Sequence, residues 1–273
     1  MHLFMKKCIN YINEVLKISR KPVVSVLPGH LSFFLLLSSI PIIVLIGIIT
    51  NFFSISFSRL VDFIILSLPA NTSDLVVPLF DTTTAGISIV LLFISAIFLA
   101  SRATKAIINT ANSIYEVQRK NVQDIVKSIF LTVILLLLFI FLIIILVLGE
   151  KILYFILNVS HNDFLNDNII RIVSILKWPI SFVIMFYVFK IIYLLSPNKK
   201  INKKSVNKGS LFTTIVILLL TFLYSFYVTN YASYNDYYGG ASNLVILMLW
   251  VYLVSKIFVY GMIINSIEEK KKK

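Results

Sequence analysis

The groups in this sequence best placed to do chemistry are charged and polar side chains set among apolar ones. Lys256 stands near the middle of the apolar stretch Asn243–Ile267. At about 1.5 Å per helical residue, it lies roughly 16 Å from the basic end of that stretch. An ammonium at such depth in a bilayer costs about 2.5–3.5 kcal/mol on insertion scales. No Asp or Glu lies inside any apolar stretch to pair with it. Two readings follow. In one, Lys256 faces an internal cavity and attracts an anion or titrates at a lowered pKa. In the other, the helix is shifted or tilted and the ammonium reaches a carbonyl or the interface.

A second set is Arg102, Lys105, Asn109, Asn112 and Glu116. The steps of three and four residues place all five on one helical face. Such a stripe lines the mouth of a cavity, or is the solvated face of a helix protruding from the membrane. Beyond these sets no catalytic constellation forms. There is no GxSxG, HExxH or phosphate-binding loop. His2, His30 and His161 are scattered and Cys8 is alone, so no metal site is assembled. The expectation is a protein that is not an enzyme, with no cofactor and no metal.

The elements that must carry these residues are written in the composition. The chain has 273 residues, 59% hydrophobic and only 14% charged. Soluble domains run near 45–50% apolar and about 25% charged, so a water-soluble enzyme is disfavoured. A bilayer-crossing helix needs about 20 mostly apolar residues. Six stretches meet that: Leu31–Phe53, Gly86–Ile108, Ser128–Leu148, Ile172–Leu195, Ser210–Tyr231 and Asn243–Ile267.

The net charge of +13 could suggest a nucleic-acid partner. Its distribution argues otherwise. Nineteen of the 25 lysines and arginines lie in four segments: the N-terminus, the loop after the second stretch, the loop after the fourth, and the C-terminal tail. Six spans put those four segments on one side, and the positive-inside rule makes that side cytoplasmic. The expected partners are anionic lipid headgroups, with no nucleic acid.

The predicted fold is all-α. It is a polytopic integral membrane protein with six transmembrane helices and both termini inside. Residues 1–273 form a single membrane domain. Residues 1–30 are a cytoplasmic amphipathic segment, 31–267 the bundle, and 268–273 a basic tail. Leu3, Phe4, Cys8, Tyr11, Ile12, Val15 and Leu16 recur at helical spacing, which predicts an interfacial N-terminal helix. Phe57, Leu60, Val61, Ile64 and Leu68, ending at Pro69, predict a short interfacial helix in the first outer loop.

Several ordered motifs resemble the YihY/BrkB family of bacterial inner-membrane proteins, the UPF0761 type once labelled ribonuclease BN. They are Leu36-Leu-Leu-Ser-Ser-Ile-Pro41, Ala111-Asn-Ser-Ile-Tyr115 and Tyr193-Leu-Leu-Ser-Pro197. Towards the C-terminus come Tyr234-Asn-Asp-Tyr-Tyr-Gly-Gly240, Leu249-Trp-Val-Tyr-Leu253 and Gly261-Met-Ile-Ile-Asn265. Where the family often has Gly-Ala-Glu-Leu-Asn, this chain carries Ile263 in place of the acid. The resemblance implies a six-helix membrane protein and a lipid or amphiphile as cargo.

The ribonuclease label is rejected, because a metal-dependent nuclease needs clustered acids or histidines facing the cytoplasm. The leading reading is therefore a transporter or flippase-like protein for an anionic, lipid-like substrate. The alternative is a non-transporting scaffold for cell-envelope enzymes. Substrate-binding candidates are Lys256, Arg102, Lys105, Asn109, Asn112 and Asn265. Structural or gating candidates are Pro41, Pro197, Gly239, Gly240 and Gly261. The expected location is the bacterial cytoplasmic membrane.

Overall fold

The computed structural model describes residues 2–52, 87–118, 121–138, 163–231 and 240–272, and those residues are helices joined by turns. The helices are α1 (His2–Ser19), α2 (Pro22–Ser25), α3 (Leu27–Phe52), α4 (Ile87–Ile114), α5 (Asn121–Leu138), α6 (Asp163–Leu195), α7 (Asn207–Tyr231) and α8 (Gly240–Lys270). The segment 54–85 predicted to hold an interfacial helix lies outside the described residues, as do Gly239 and residues 139–148 of the third predicted stretch. Four described helical windows are long and apolar enough to cross a membrane: Pro22–Ser39, Asn121–Leu138, Asn207–Phe226 and Val245–Lys270. A shorter apolar helical stretch runs over Pro179–Leu195. Helix α4 reaches the required length but carries Arg102 and Lys105 in its second half.

Helix α8 is the spine. It packs against α3 on one side and α7 on the other, while α3 also lies along α4 and α6 along α7. The α3–α4 contact is close because α4 presents small residues. Ala96, Ala100, Ala103 and Ala106 are all buried, at the three- and four-residue steps that let helix backbones approach. The main core joins Leu31 of α3, Ile107 and Ala111 of α4, Tyr193 of α6, and Phe258, Met262 and Ile267 of α8. Ile263 is fully buried in that core.

The outside is unlike that of a soluble protein. Phe33 and Leu37 of α3, Phe98 of α4, Leu219 and Phe222 of α7, and Val245 and Leu249 of α8 are exposed. Meanwhile Ser38, Thr104, Asn112, Thr213, Ser255 and Asn265 are buried. Apolar faces of this extent on every long helix demand an apolar surrounding. Helix α1 departs from the simple interfacial picture. Tyr11, Val15 and Ile18 pack on the bundle core, while Ile9, Ile12 and Leu16 form a second, exposed stripe. The helix is therefore docked on the protein and still offers one apolar edge.

Prolines fall where the helices tolerate them. Pro22 opens α2 at its first turn, where the missing N–H costs nothing. Pro41 stands inside α3 and removes one N–H from the ladder. One turn before it, the Ser38 hydroxyl donates to the Leu99 carbonyl of α4 at 3.2 Å, which ties that weakened region to its neighbour.

Candidate functional site

The ends of α4, α6 and α8 and the starts of α5 and α7 meet at one end of the bundle, together with α1 and α2. This end also gathers the four basic segments of the sequence, and it is called here the basic end. Two side-chain assemblies hold it.

The first is centred on Lys127 of α5. Pro197 cannot continue a helix without breaking it, and α6 stops at Leu195. The chain then turns, leaving carbonyls without helical partners. Lys127 Nζ fills that gap. It donates to the Ser196 carbonyl at 2.9 Å, the Pro197 carbonyl at 2.7 Å and Asn198 Oδ1 at 2.9 Å. All three ammonium donors are thereby used. Asn198 spreads the link further. Its backbone N–H donates to Asn112 Oδ1 of α4 at 2.8 Å, and its Nδ2 donates to Asp124 Oδ1. Asp124 is fully buried and three residues before Lys127 on the same face of α5. Thr104 of α4 lies 2.8 Å from the Thr132 hydroxyl and 2.8 Å from the Ser128 carbonyl, closing α4 against α5.

The second assembly is the crossing of α7 and α8. A Cβ built on Gly209 would stand 2.1 Å from the Gly261 carbonyl and 2.4 Å from Asn265 Oδ1. One built on Gly261 would stand 2.0 Å from Thr213 Oγ1 and 2.4 Å from Tyr193 Oη. Both positions require glycine, because two backbones touch there. The contact lets the Gly209 N–H donate to Asn265 Oδ1 at 2.7 Å. The buried Tyr193 hydroxyl is 2.7 Å from Thr213 Oγ1 and donates to the Phe258 carbonyl at 2.9 Å, so α6 joins the same crossing. Further out, Glu269 accepts from the Asn202 N–H at 3.1 Å and from the Ser205 hydroxyl at 2.6 Å.

Helix α4 ends in a Schellman-type cap. The Val117 N–H donates to the Asn112 carbonyl at 2.9 Å, and the intervening Glu116 has φ 55°. Glycine or asparagine usually fills that left-handed position. Here the Glu116 carboxylate lies 2.9 Å from Lys21 Nζ and 3.8 Å from Lys270 Nζ. The Lys21 hydrogen bond, then the Lys270 charge, hold its pKa below the usual carboxylate range. Burial, then the Glu269 charge, push the neighbouring Tyr115 hydroxyl well above the ordinary tyrosine value. Tyr115 is therefore a neutral hydroxyl at physiological pH, and Lys199 Nζ lies 4.8 Å from its ring centre.

A protein-family profile described as virulence factor BrkB matches residues 19–273. The chain belongs to the virulence factor BrkB family. Among its relatives, a Bacillus subtilis (strain 168) protein named ribonuclease-like YfkH is 29% identical over 252 residues, spanning 90% of each chain. A Vibrio atlanticus (strain LGP32) protein named UPF0761 membrane protein is 26% identical over 251 residues, 92% of this chain and 74% of that one. The UPF0761 membrane protein IL2447 of Idiomarina loihiensis is 28% identical over 112 residues, 41% of this chain and 39% of its own. No solved structure matches the chain. The relatives named as membrane proteins agree with the apolar exterior, and this BrkB-family chain is a membrane protein.

The sequence-derived candidates separate in the fold. Asn112 and Asn265 are fully buried, one in each assembly. Pro197 and Gly261 are buried beside them. Lys105 and Asn109 are half-buried, while Arg102 is exposed, with its guanidinium 5.1 Å from the Phe98 ring centre. The five-residue stripe is therefore not a common lining. It runs from the outer surface at Arg102 to beneath the 196–199 turn at Asn112, and Glu116 has left the helix.

Lys256 is exposed on α8, on the stripe that carries Val245, Leu249 and Tyr252. It does not face the bundle interior. Pro41 lies in α3, partly exposed and remote in sequence from both assemblies, and Gly240 is the first residue of α8. The residues that the candidate set lacked are Lys127, Asp124, Asn198, Gly209, Tyr193 and Thr213. The signals for three of them were present: the three-residue step from Asp124 to Lys127, and Tyr193 at the head of the Tyr-Leu-Leu-Ser-Pro motif.

Proposed function

We propose that this BrkB-family protein binds and moves an anionic, lipid-like amphiphile across a bacterial cytoplasmic membrane. It does so as a non-enzymatic, six-span protein whose basic end and both termini face the cytoplasm. One observation carries the reading. Asn112 and Asn265, both fully buried, each spend their carbonyl edge on a backbone N–H. Each leaves its Nδ2 donor without an acceptor among the described residues. The buried hydroxyls of Thr110 and Tyr115 are in the same position. A buried donor left unmade costs about 1–3 kcal/mol, and the oxygens of a phosphate or carboxylate supply what these groups lack. Asp124, the buried acid nearby, accepts from Asn198 through Oδ1 and has no partner for Oδ2 among the described residues.

The concentration of lysines at this end supports the cytoplasmic assignment through the positive-inside rule and favours anionic headgroups as partners. Arg102 and Lys105, further along α4, extend the positive field along the approach. The alternative reading, a scaffold for envelope enzymes, draws on the Lys127 clamp and the glycine crossing, which fasten five helices at one end.

Flux separates the two. Full-length protein in proteoliposomes, with a fluorescent phosphatidylglycerol in one leaflet, should exchange that lipid faster than empty vesicles. Asn112→Asp and Asn265→Asp keep the acceptor edge and remove the donor, and both should slow exchange while the protein stays folded. Exchange equal to empty vesicles for several anionic lipids overturns the transport reading.

A further inference from the structure

A groove of about 660 Å³ opens on the surface of the basic end, against the outer side of the Lys127 clamp. One wall is α5, where Val122, Val126 and Phe130 line it and are 75%, 64% and 64% exposed. Their four-residue steps make one continuous stripe, about 12 Å long at 1.5 Å per residue. The other wall is the turn after α6, with Pro197, Lys199 and Lys200. The stripe and the lysines are arranged in order. Charge lies at the end where the turn leaves the bundle, and the apolar stripe runs from there along a helix apolar enough to cross a membrane.

Each lysine has a definite place. Lys127 also borders the groove, but its three donors are spent on Ser196, Pro197 and Asn198, so it is part of the wall. Lys199 lies over the Tyr115 ring. Lys200 is exposed and makes no ion pair with a carboxylate among the described residues. The groove mouth is thus positive, and its floor is a hydrocarbon strip too exposed to be core. A soluble anion would use the charge and leave the strip bare. A zwitterionic lipid would use the strip, but its own ammonium would offset the attraction of its phosphate to the lysines. An anionic lipid satisfies both. The volume falls within the 300–1,000 Å³ of pockets that enclose a small molecule, enough for a headgroup and the upper part of an acyl chain.

We propose that this groove binds one anionic glycerophospholipid of the leaflet at the basic end. Its phosphate lies at Lys199 and Lys200, and an acyl chain lies along Val122, Val126 and Phe130. The inference takes from the proposed function only that this end meets an anionic leaflet, and it holds for a scaffold as well as for a transporter.

The test uses full-length Phe130→Trp protein in phosphatidylcholine nanodiscs, doped with a minor share of brominated phosphatidylglycerol or of brominated phosphatidylcholine. Quenching of the added tryptophan, corrected for the parent protein's Trp178 and Trp250, reports lipid in the groove. A lysine near an anionic surface contributes about fivefold in affinity. The brominated phosphatidylglycerol should therefore quench at several-fold lower content than the brominated phosphatidylcholine. Lys200→Gln should cut that preference about fivefold, and Lys203→Gln, on the same loop outside the groove, should leave it intact.

Equal quenching by the two lipids overturns the proposal, as does a preference that Lys200→Gln does not touch. Displacement by millimolar glycerol phosphate would assign the lysines to a soluble anion and also overturn it. A clear preference in a protein without lipid flux would retain the groove and remove the transport reading. Flux without a preference would do the reverse.

Discussion

Replacing Gly209 by alanine tests whether the α7–α8 crossing holds the basic end together. The added Cβ would stand 2.1 Å from the Gly261 carbonyl, 0.9 Å inside the 3.0 Å that real Cβ atoms keep. The nearest obstacle is the backbone carbonyl of Gly261, which no rotamer change can move, so α7 and α8 must part. Overpacking of this kind costs about 1–3 kcal/mol. Parting the helices also stretches the 2.7 Å bond from Gly209 N–H to Asn265 Oδ1. Leaving that buried acceptor unmade adds about 1–3 kcal/mol. The combined loss is about 2–6 kcal/mol, or roughly 4–24 °C in unfolding midpoint at about 2–4 °C per kcal/mol. Thermal unfolding of the purified protein in detergent reads it directly. Gly29→Ala is the control, because nothing lies within 4 Å of its would-be Cβ and it lies in helix α3. It should be neutral or gain up to about 1 kcal/mol from helix propensity. A Gly209→Ala protein as stable as Gly29→Ala would refute the crossing as described.

Lys127→Met removes the ammonium that serves three oxygens of the 196–198 turn. It should destabilise by about 2–3 kcal/mol, on the scale of a hydrogen-bonded charge, and should raise protease cutting in that turn under limited digestion. Tyr193→Phe deletes the hydroxyl joining Thr213 to the Phe258 carbonyl and should cost about 1–2 kcal/mol in the same unfolding assay. Glu116→Gly relieves the left-handed backbone by about 1 kcal/mol and loses exposed ion pairs worth about 0–1 kcal/mol. Glu116→Ala loses the pairs without the relief, so the glycine variant should be the more stable by about 1 kcal/mol. The Glu116 pKa is lowered in the fold by Lys21 and Lys270. Its contribution is therefore present above the unfolded carboxylate pKa and lost as pH falls through the folded one. An unfolding midpoint followed into acid should show a small step that Glu116→Gln abolishes.

Periodicity and charge counting make the long helices legible, together with the gathering of basic segments, because both signals are local and repeat many times along the chain. What they leave open is azimuth. The depth of Lys256 follows from counting residues, but the side of α8 it occupies depends on where α3 and α7 pack, and those contacts join residues far apart in sequence. Asn112 shows the converse. It shares a helical face with exposed Arg102, yet the turn carrying Asn198 covers it, and no pattern within α4 reports that turn. Lys127 reads as one loop cation among several until the carbonyls freed by Pro197 are placed beside it. Gly209 follows the lysine-rich segment and resembles an ordinary loop glycine. Its need for a missing side chain exists only because Gly261, 52 positions later, arrives against it. The resemblance motifs did point to Gly261, Asn265, Pro197 and Tyr193, which all lie at the basic end.

The central proposal is that buried donors at the basic end receive the oxygens of an anionic amphiphile. The most direct measurement is leaflet exchange of a fluorescent phosphatidylglycerol in proteoliposomes, with the Asn265→Asp protein beside the parent at matched reconstitution and matched unfolding midpoint. The parent should exchange the lipid faster than empty vesicles, and the variant should lose several-fold or more of that exchange. Parent exchange no faster than empty vesicles, or a folded Asn265→Asp protein exchanging at the parent rate, would contradict the proposal.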